Sequence, residues 1–140
     1  MLQPAIATVL LLNVMNPMLL AQNPPASTFQ PGFWQPRARF NPGTPVRLKI
    51  LNRTDSTLEY ELSAQKVTPR PILPGNESAL GNLPLPAYVF IYPNDATIGL
   101  KYTVSVTSDN VVTLSVEKLG RNTPGDTTLN LHATGAIYIY

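Results

Sequence analysis

The chain has 140 residues, and its ten basic and eight acidic side chains give a formal net charge of +2 at neutral pH. This length predicts one domain, and so small a charge predicts no nucleic-acid partner, because nucleic-acid-binding proteins concentrate basic residues on one face. The absence of cysteine excludes disulfides, thiolate nucleophiles and cysteine metal sites.

Residues 1–21 are predicted to be a signal peptide. The segment has no charged side chain, and residues 6–12 form a compact apolar run. A signal peptide needs about 7–15 apolar residues followed by small residues at the cleavage site, whereas a membrane-spanning helix needs about 20. We therefore predict cleavage after Ala21, with Ala26 as the second choice, no membrane span in the mature chain, and a periplasmic or extracellular location. A retained N-terminal anchor and a buried element of the domain are the alternatives.

Residues 22–41 are predicted to be a proline-rich arm or linker. Six of the fifteen prolines lie between positions 24 and 45, and residues 29–40 hold the only Trp and three of the four Phe. Trp and Arg are enriched in binding hot spots. The candidate partner-binding residues of the arm are therefore Phe33, Trp34, Arg37 and Arg39. The alternative is that these aromatic residues cover an open end of the domain itself.

After Pro45 apolar and polar residues alternate with period two, the pattern of half-buried strands. Turn residues separate seven such segments, which is typical of a β-sandwich. We therefore predict that residues 42–140 form a single antiparallel β-sandwich, with one helical turn allowed at 78–83. The predicted strands are 46–52, 57–64, 88–92, 101–107, 111–118, 127–133 and 136–140.

Two hairpins are predicted to the residue pair. The first places apolar partners on one face and opposite charges on the other, which cross-strand energetics favours. Its pairs are Val46 with Leu62, Leu48 with Tyr60, Ile50 with Leu58, Arg47 with Glu61 and Lys49 with Glu59. The second pairs Tyr102 with Val116, Val104 with Leu114, Val106 with Val112 and Lys101 with Glu117. Both imply three-residue loops, and Asn110 suits the left-handed position of the second.

The last predicted strand, 136–140, is apolar on both faces. Such a strand is either covered on both sides or forms part of a surface that receives a partner. Tyr138 and Tyr140 therefore join the candidate partner-binding residues.

The sequence contains no recognisable catalytic or metal-binding motif, and we predict no catalytic residue, cofactor or metal site. The single histidine, His132, lies on the polar phase of its strand and has no predicted nucleophile or metal partner beside it. Glu59 and Glu61 lie about 7 Å apart on one strand face, but the first hairpin pairs both with cations. Asn52 and Asn76 each begin a glycosylation triplet, and both fall where a turn needs Asn.

The segments Val46-Arg47-Leu48-Lys49-Ile50-Leu51-Asn52-Arg53-Thr54 and Leu73-Pro74-Gly75-Asn76-Glu77-Ser78 resemble parts of small exported immunoglobulin-like sandwich proteins of bacteria. The leader that ends Leu-Ala-Gln resembles those of cyanobacterial envelope proteins. This resemblance covers about a third of the chain. It implies an immunoglobulin-like fold after a signal peptide, and it implies no active site.

The expected function is that of a non-enzymatic exported domain. It would bind another envelope protein or a surface polymer through its sandwich edge and aromatic arm. The alternative is a secreted protease inhibitor that presents Pro69-Arg70-Pro71 on a rigid loop, and a hydrolase ranks third.

Overall fold

The computed structural model describes residues 35–63 and 68–140, and this part of the chain contains ten β-strands and no helix. The predicted signal peptide, Phe33 and Trp34 lie outside the described residues. The strands are β1 (Ala38–Arg39), β2 (Arg47–Asn52), β3 (Leu58–Leu62), β4 (Arg70–Ile72), β5 (Glu77–Leu80), β6 (Ala87–Pro93), β7 (Ile98–Val106), β8 (Val111–Arg121), β9 (Thr128–Leu131) and β10 (Ala136–Ile139). Within these residues no helix is both long and apolar enough to span a membrane.

The strands form two sheets whose buried faces contribute to one hydrophobic core. The six-stranded sheet has the order β1-β10-β9-β6-β3-β4, and the four-stranded sheet has the order β5-β2-β8-β7. Alternation along each strand decides which side chains enter the core. In β2, for example, Leu48 and Ile50 are buried whereas Arg47 and Lys49 are exposed. The all-β prediction is thus confirmed.

A hydrogen bond between the sheets supplements this packing. Tyr102 lies on β7 of the four-stranded sheet, and its hydroxyl donates to the carbonyl of Ile91, on β6 of the other sheet, at 2.7 Å. Because the bond is buried, it also satisfies a phenol that would otherwise be costly to remove from water.

The second predicted hairpin is confirmed. β7 and β8 pair Tyr102 with Val116, Val104 with Leu114, Val106 with Val112 and Lys101 with Glu117. The backbone N–H of Thr107 donates to the carbonyl of Val111, which leaves a loop of three residues, 108–110. Asn110 has a φ of 61°, the left-handed conformation expected at the end of such a loop.

The first predicted hairpin is wrong, because β2 and β3 lie in different sheets. The cross-strand neighbours of Lys49 are Ala79 and Thr113, and those of Glu59 are Pro71 and Tyr92. The alternating pattern had identified the buried face of each strand correctly. It could not identify the partner, since several strands carry the same pattern.

A buried corner at Asn52 explains why the chain leaves the first sheet at the end of β2. The Asn52 side chain is 1% exposed. Its Nδ2 donates to the carbonyls of Ser56 and Ile72, both at 2.8 Å. Its Oδ1 accepts from the backbone N–H of Thr54 at 2.9 Å and from the Thr54 hydroxyl at 2.6 Å. The Asn-x-Thr triplet is therefore a packed connection between the sheets, and the nitrogen that glycosylation would modify is engaged inside it.

The structure corrects the predicted architecture in three further respects. β2 pairs with β8 in parallel, so the four-stranded sheet is mixed rather than antiparallel. Strands β1, β4 and β5 add to the seven predicted, and Ser78 lies in the extended β5 rather than in a helical turn. Ala38–Arg39, within the predicted arm, forms β1, and Phe40 is buried in the core.

Candidate functional site

The outer face of the six-stranded sheet carries exposed aromatic side chains. Along β6, Ala87, Val89 and Ile91 are buried in the core. The alternate residues therefore point to the outer face, and these are Tyr88, Phe90 and Tyr92. The sequence Tyr-Val-Phe-Ile-Tyr thus places an aromatic ring at every outward position of the strand.

β10 adds two more aromatic residues to the same face. Ile137 and Ile139 are buried, so Tyr138 and the following Tyr140 point outward. Their rings are nearly parallel, with an interplanar angle of 11° and centroids 6.4 Å apart. We call Tyr88, Phe90, Tyr92, Tyr138 and Tyr140 the aromatic face. Tyr88 and Phe90 are each 37% exposed and Tyr140 is 42% exposed, so much of their ring surface remains accessible.

Asn130 lies at the centre of the aromatic face. In the sheet it is directly opposite Tyr138 on one side and Tyr88 on the other. It is only 4% exposed, and its Oδ1 is the one buried side-chain nitrogen or oxygen of the described residues without a hydrogen-bond partner. A buried carbonyl without a donor is costly, so this atom marks a place where a ligand group could add a favourable contact.

Opposite charges flank the aromatic face. Arg37 and Arg39 are exposed at the β1 edge, where Arg39 pairs with Ala136 of β10. On the other side, Glu59 and Glu61 of β3 pair with Tyr92 and Phe90 of β6. From β1 to β3 the sheet spans about 19 Å, so the potential changes sign across the face.

The carboxylates do not have the cationic partners expected from the sequence. Glu61 instead accepts a hydrogen bond from the Tyr92 hydroxyl at 3.0 Å. The pKa of Tyr92 is raised above its ordinary value, chiefly by desolvation and then by this hydrogen bond and the charges of Glu61 and Glu59. The phenol therefore keeps its proton at neutral pH and donates a hydrogen bond on the acidic side of the face.

His132 follows β9 and takes part in the turn that leads to β10. Its Nδ1 lies 2.8 Å from the Thr134 hydroxyl and accepts from the Thr134 backbone N–H at 3.2 Å. Its ring meets Tyr138 edge-on, with centroids 6.1 Å apart. His132 thus holds the β9–β10 turn beside the aromatic face. Elsewhere in the described residues, no group of three His, Asp or Glu side chains is arranged to bind a metal ion.

The outer face of the four-stranded sheet has a different composition. Its central strands alternate buried apolar residues with outward side chains that are mostly charged or carry hydroxyl groups, with Leu51 and Val111 as apolar exceptions. The outward residues include Arg47, Lys49, Lys101, Thr103, Ser105, Thr113, Ser115 and Glu117. The aromatic face is thus specific to one sheet and is not a general property of this surface.

A cavity of about 400 Å³ lies at one end of the core, beside Gly99, Gly125 and Asp126. A Cβ at Gly125 would clash with the backbone carbonyl oxygen of Leu100, so the two backbone segments approach closely there. The Asp126 carboxylate accepts from the backbone N–H of Tyr102 at 2.8 Å. These contacts give the segment a structural role.

Of the six predicted binding residues, Tyr138 and Tyr140 belong to the aromatic face, and Arg37 and Arg39 lie beside it on the β1 edge. Sequence reasoning missed Tyr88, Phe90, Tyr92 and Asn130. The aromatic residues of β6 could have been found, because residues 88–92 are apolar on both phases, the same signal that singled out 136–140. The inhibitor alternative placed Pro69-Arg70-Pro71 on a rigid loop. In the structure, Arg70 and Pro71 lie instead in β4, which pairs with β3.

Comparisons of the chain with protein-family models, with curated proteins and with solved structures give no match.

Proposed function

We propose that the chain is an exported, non-enzymatic binding domain that contacts another envelope protein or a surface polymer through the aromatic face. The observation that carries the proposal is the alignment of five aromatic side chains on one outer face, three of them 37–42% exposed. Large exposed apolar side chains grouped on a soluble domain mark interaction sites. The non-enzymatic part rests on the sequence, in which no nucleophile is accompanied by a recognisable base.

The finer description of the fold as an immunoglobulin-like sandwich belongs to the same proposal. It is supported by the two sheets around one core and by the Tyr102 hydroxyl, which bonds to the backbone of an earlier strand. Immunoglobulin-like domains use a tyrosine in a related way at a strand corner.

Capture from a native envelope extract of the source organism tests the binding role. The full chain is immobilised and compared with Phe90→Ala and with the control Leu73→Ala, which removes another large apolar side chain, 56% exposed, outside the aromatic face. We expect the wild type and Leu73→Ala to retain the same component and Phe90→Ala to lose it. Equal capture by all three would contradict the proposal.

Export is tested separately by N-terminal sequencing of the protein recovered from its source. Cleavage after Ala21 predicts Gln22 as the first residue. Recovery of intact Met1 in a membrane fraction would instead identify the segment as a retained anchor.

A further inference from the structure

None of the three cavities lined by described residues is centred on the aromatic face. Small molecules bind in clefts that bury about 70–90% of their surface. The cavity at the end of the core includes only Tyr92 from the aromatic face, and two others at the surface of the four-stranded sheet include none of it. An extended ligand that lies across the strands fits this shape better than a compact one.

The size of the face also argues for a narrow ligand. From β10 to β6 two strand spacings give about 10 Å, and from Tyr88 to Tyr92 the strand rise gives about 13 Å. The rectangle between these backbone positions is about 130 Å², whereas a stable protein interface covers about 800 Å² of each partner. A single polymer chain matches the smaller area.

The outward side chains of the six-stranded sheet, from β10 to β3, include both aromatic rings and hydrogen-bonding groups. On the described strands from β10 to β3 they are aromatic or polar apart from the small Ala136, and include no Leu, Ile, Val or Met. A sugar ring has the complementary structure, with an apolar C–H face that stacks on an aromatic plane and hydroxyl groups around its edge. Protein interfaces, in contrast, are enriched in Met as well as in aromatic residues.

Asn130 supplies a specific point of recognition. Its buried Oδ1 lacks a donor, and a hydroxyl group is the donor that a sugar offers. Because this oxygen is buried and Tyr88 and Tyr138 are its neighbours on either side, surrounding side chains have to shift for a hydroxyl to reach it. Changes of side-chain rotamer of this kind are common when partners bind.

The charges beside the aromatic face have opposite signs on its two sides, so a polymer of either charge meets like charges on one side. Glu59 and Glu61 lie directly next to Tyr92 and Phe90. They would repel a nucleic acid, which carries one negative charge per about 1.7 Å of duplex, and they would equally repel a uronic-acid polymer. As acceptors, the same carboxylates can bind sugar hydroxyl groups.

We propose that the aromatic face binds an uncharged polysaccharide, whose sugar rings stack on Tyr88, Phe90 and Tyr140 while a hydroxyl group donates to Asn130 Oδ1. This inference rests on the proposed binding function and names its ligand class.

The test uses the full chain and isothermal titration calorimetry. The probes are oligosaccharides of an uncharged β-linked glucan and an uncharged α-linked glucan, with oligogalacturonate as the anionic control. We expect saturable binding of at least one glucan and none of oligogalacturonate. Phe90→Ala and Tyr88→Ala should each weaken glucan binding by about tenfold or more, in line with the loss of one stacking contact. Phe90→Tyr and the control Leu73→Ala should leave it unchanged.

Asn130→Leu separates recognition from stability. Because the native Oδ1 is unsatisfied, replacing the amide by an apolar group of similar volume should not lower the melting temperature, yet glucan affinity should fall. A lower melting temperature with unchanged affinity would contradict the role of Asn130 in recognition.

If another molecule or the chain's own arm occupies the aromatic face, the binding and unfolding experiments give different results. If neither glucan binds but Phe90→Ala still abolishes capture of an envelope protein, the polysaccharide is wrong and the binding function stands. If neither glucan nor envelope component depends on Phe90, both proposals fail. A double-mutant cycle of Trp34→Ala and Phe90→Ala in thermal unfolding of the full chain tests the chain's own arm as the occupant. Strong coupling would assign the face to the arm and overturn the polysaccharide.

Discussion

At the residue scale, the Asn52 side chain is buried and all of its hydrogen-bonding positions are occupied. Its side chain makes two donor and two acceptor hydrogen bonds inside the connection from β2 to β3. An isolated hydrogen bond contributes little net stability, but leaving a buried group unpaired costs more. Removal of this one amide leaves the buried carbonyl of Ile72 and the Thr54 hydroxyl with fewer partners.

We expect Asn52→Ala to lower the free energy of unfolding by about 2–4 kcal/mol. The matched control is Asn76→Ala, since Asn76 begins the other Asn-x-Ser/Thr triplet and is exposed, and should change stability by no more than about 0.5 kcal/mol. Urea unfolding at constant m-value measures both. Equal effects of the two substitutions would show that the corner is not held by the Asn52 side chain.

The Tyr102 hydroxyl makes the free energy of unfolding depend on pH in the alkaline range. Burial raises the pKa of its hydroxyl far above the ordinary value of 10, and the charge of Asp126 acts in the same direction. Above pH 10 the unfolded chain loses this proton while the native chain keeps it. Unfolding is then accompanied by proton release, so the stabilising contribution is complete below pH 10 and decreases as the pH rises.

We expect this residue to reduce the free energy of unfolding by about 1.4 kcal/mol per pH unit above pH 10. Tyr102→Phe should be less stable at neutral pH by about 1 kcal/mol, because it loses the hydrogen bond to Ile91, but should show a shallower alkaline decrease. Urea unfolding at a series of alkaline pH values compares the slopes. Identical slopes in both proteins would contradict the assignment.

At the element scale, the β7–β8 hairpin is joined to the start of β2 through Asn110. The Asn110 Oδ1 accepts from the backbone N–H of Asn41 at 2.7 Å, and its Nδ2 donates to the carbonyl of Asn41 at 2.8 Å. The same nitrogen lies 3.1 Å from the hydroxyl of Thr44. One residue therefore serves both the left-handed turn position and the contact with the segment that leads into β2.

Two substitutions separate these roles. Asn110→Gly keeps the positive φ but loses the side-chain bonds, and we expect it to cost about 1–3 kcal/mol of stability. Asn110→Ala loses both, and the left-handed backbone should add about 1 kcal/mol to this cost. Denaturant unfolding measures the free energy of unfolding of both variants. An Ala variant that is more stable than the Gly variant would show that the left-handed backbone conformation contributes nothing.

The two predicted hairpins show which structural information is local. Tyr102 and Val116 belong to strands joined by three loop residues, so the turn and the alternation together determined their pairing. For Lys49 and Glu59 the same alternation and a charge match were present, yet a buried side-chain corner at Asn52 takes the chain into the other sheet. Loop length and charge pairing cannot reveal that corner, because its bonds reach Ile72, which is distant in sequence.

At the scale of the whole molecule, the two sheets differ in their outward side chains as well as in strand number. Both bury one face in the shared core. The four-stranded sheet presents charged and hydroxyl groups outward, whereas the six-stranded sheet presents the aromatic face between Arg39 at one edge and Glu59 and Glu61 at the other. We therefore expect changes to the aromatic face to affect binding more than folding.

Trp34 lies outside the described residues, and its contribution to binding stays a prediction. Trp34→Ala should leave the melting temperature of the full chain nearly unchanged while weakening partner capture by about 2 kcal/mol. A Trp packed in the core would instead lower the free energy of unfolding by about 3–5 kcal/mol. Thermal unfolding of the variant distinguishes the two, and a drop of many degrees would place Trp34 in the core.

The sequence by itself determined the all-β class, the buried phase of each major strand and the register of the β7–β8 hairpin, because these depend on alternation and on turns between neighbours in the chain. Only the tertiary structure decided that β2 pairs in parallel with β8 and that β10 and β6 lie on either side of β9. Such pairings join segments far apart in sequence and leave no local signal. Tyr88, Phe90, Tyr138 and Tyr140 form one surface because folding brings β6 and β10 to either side of β9, although 42 residues separate the two strands in the sequence.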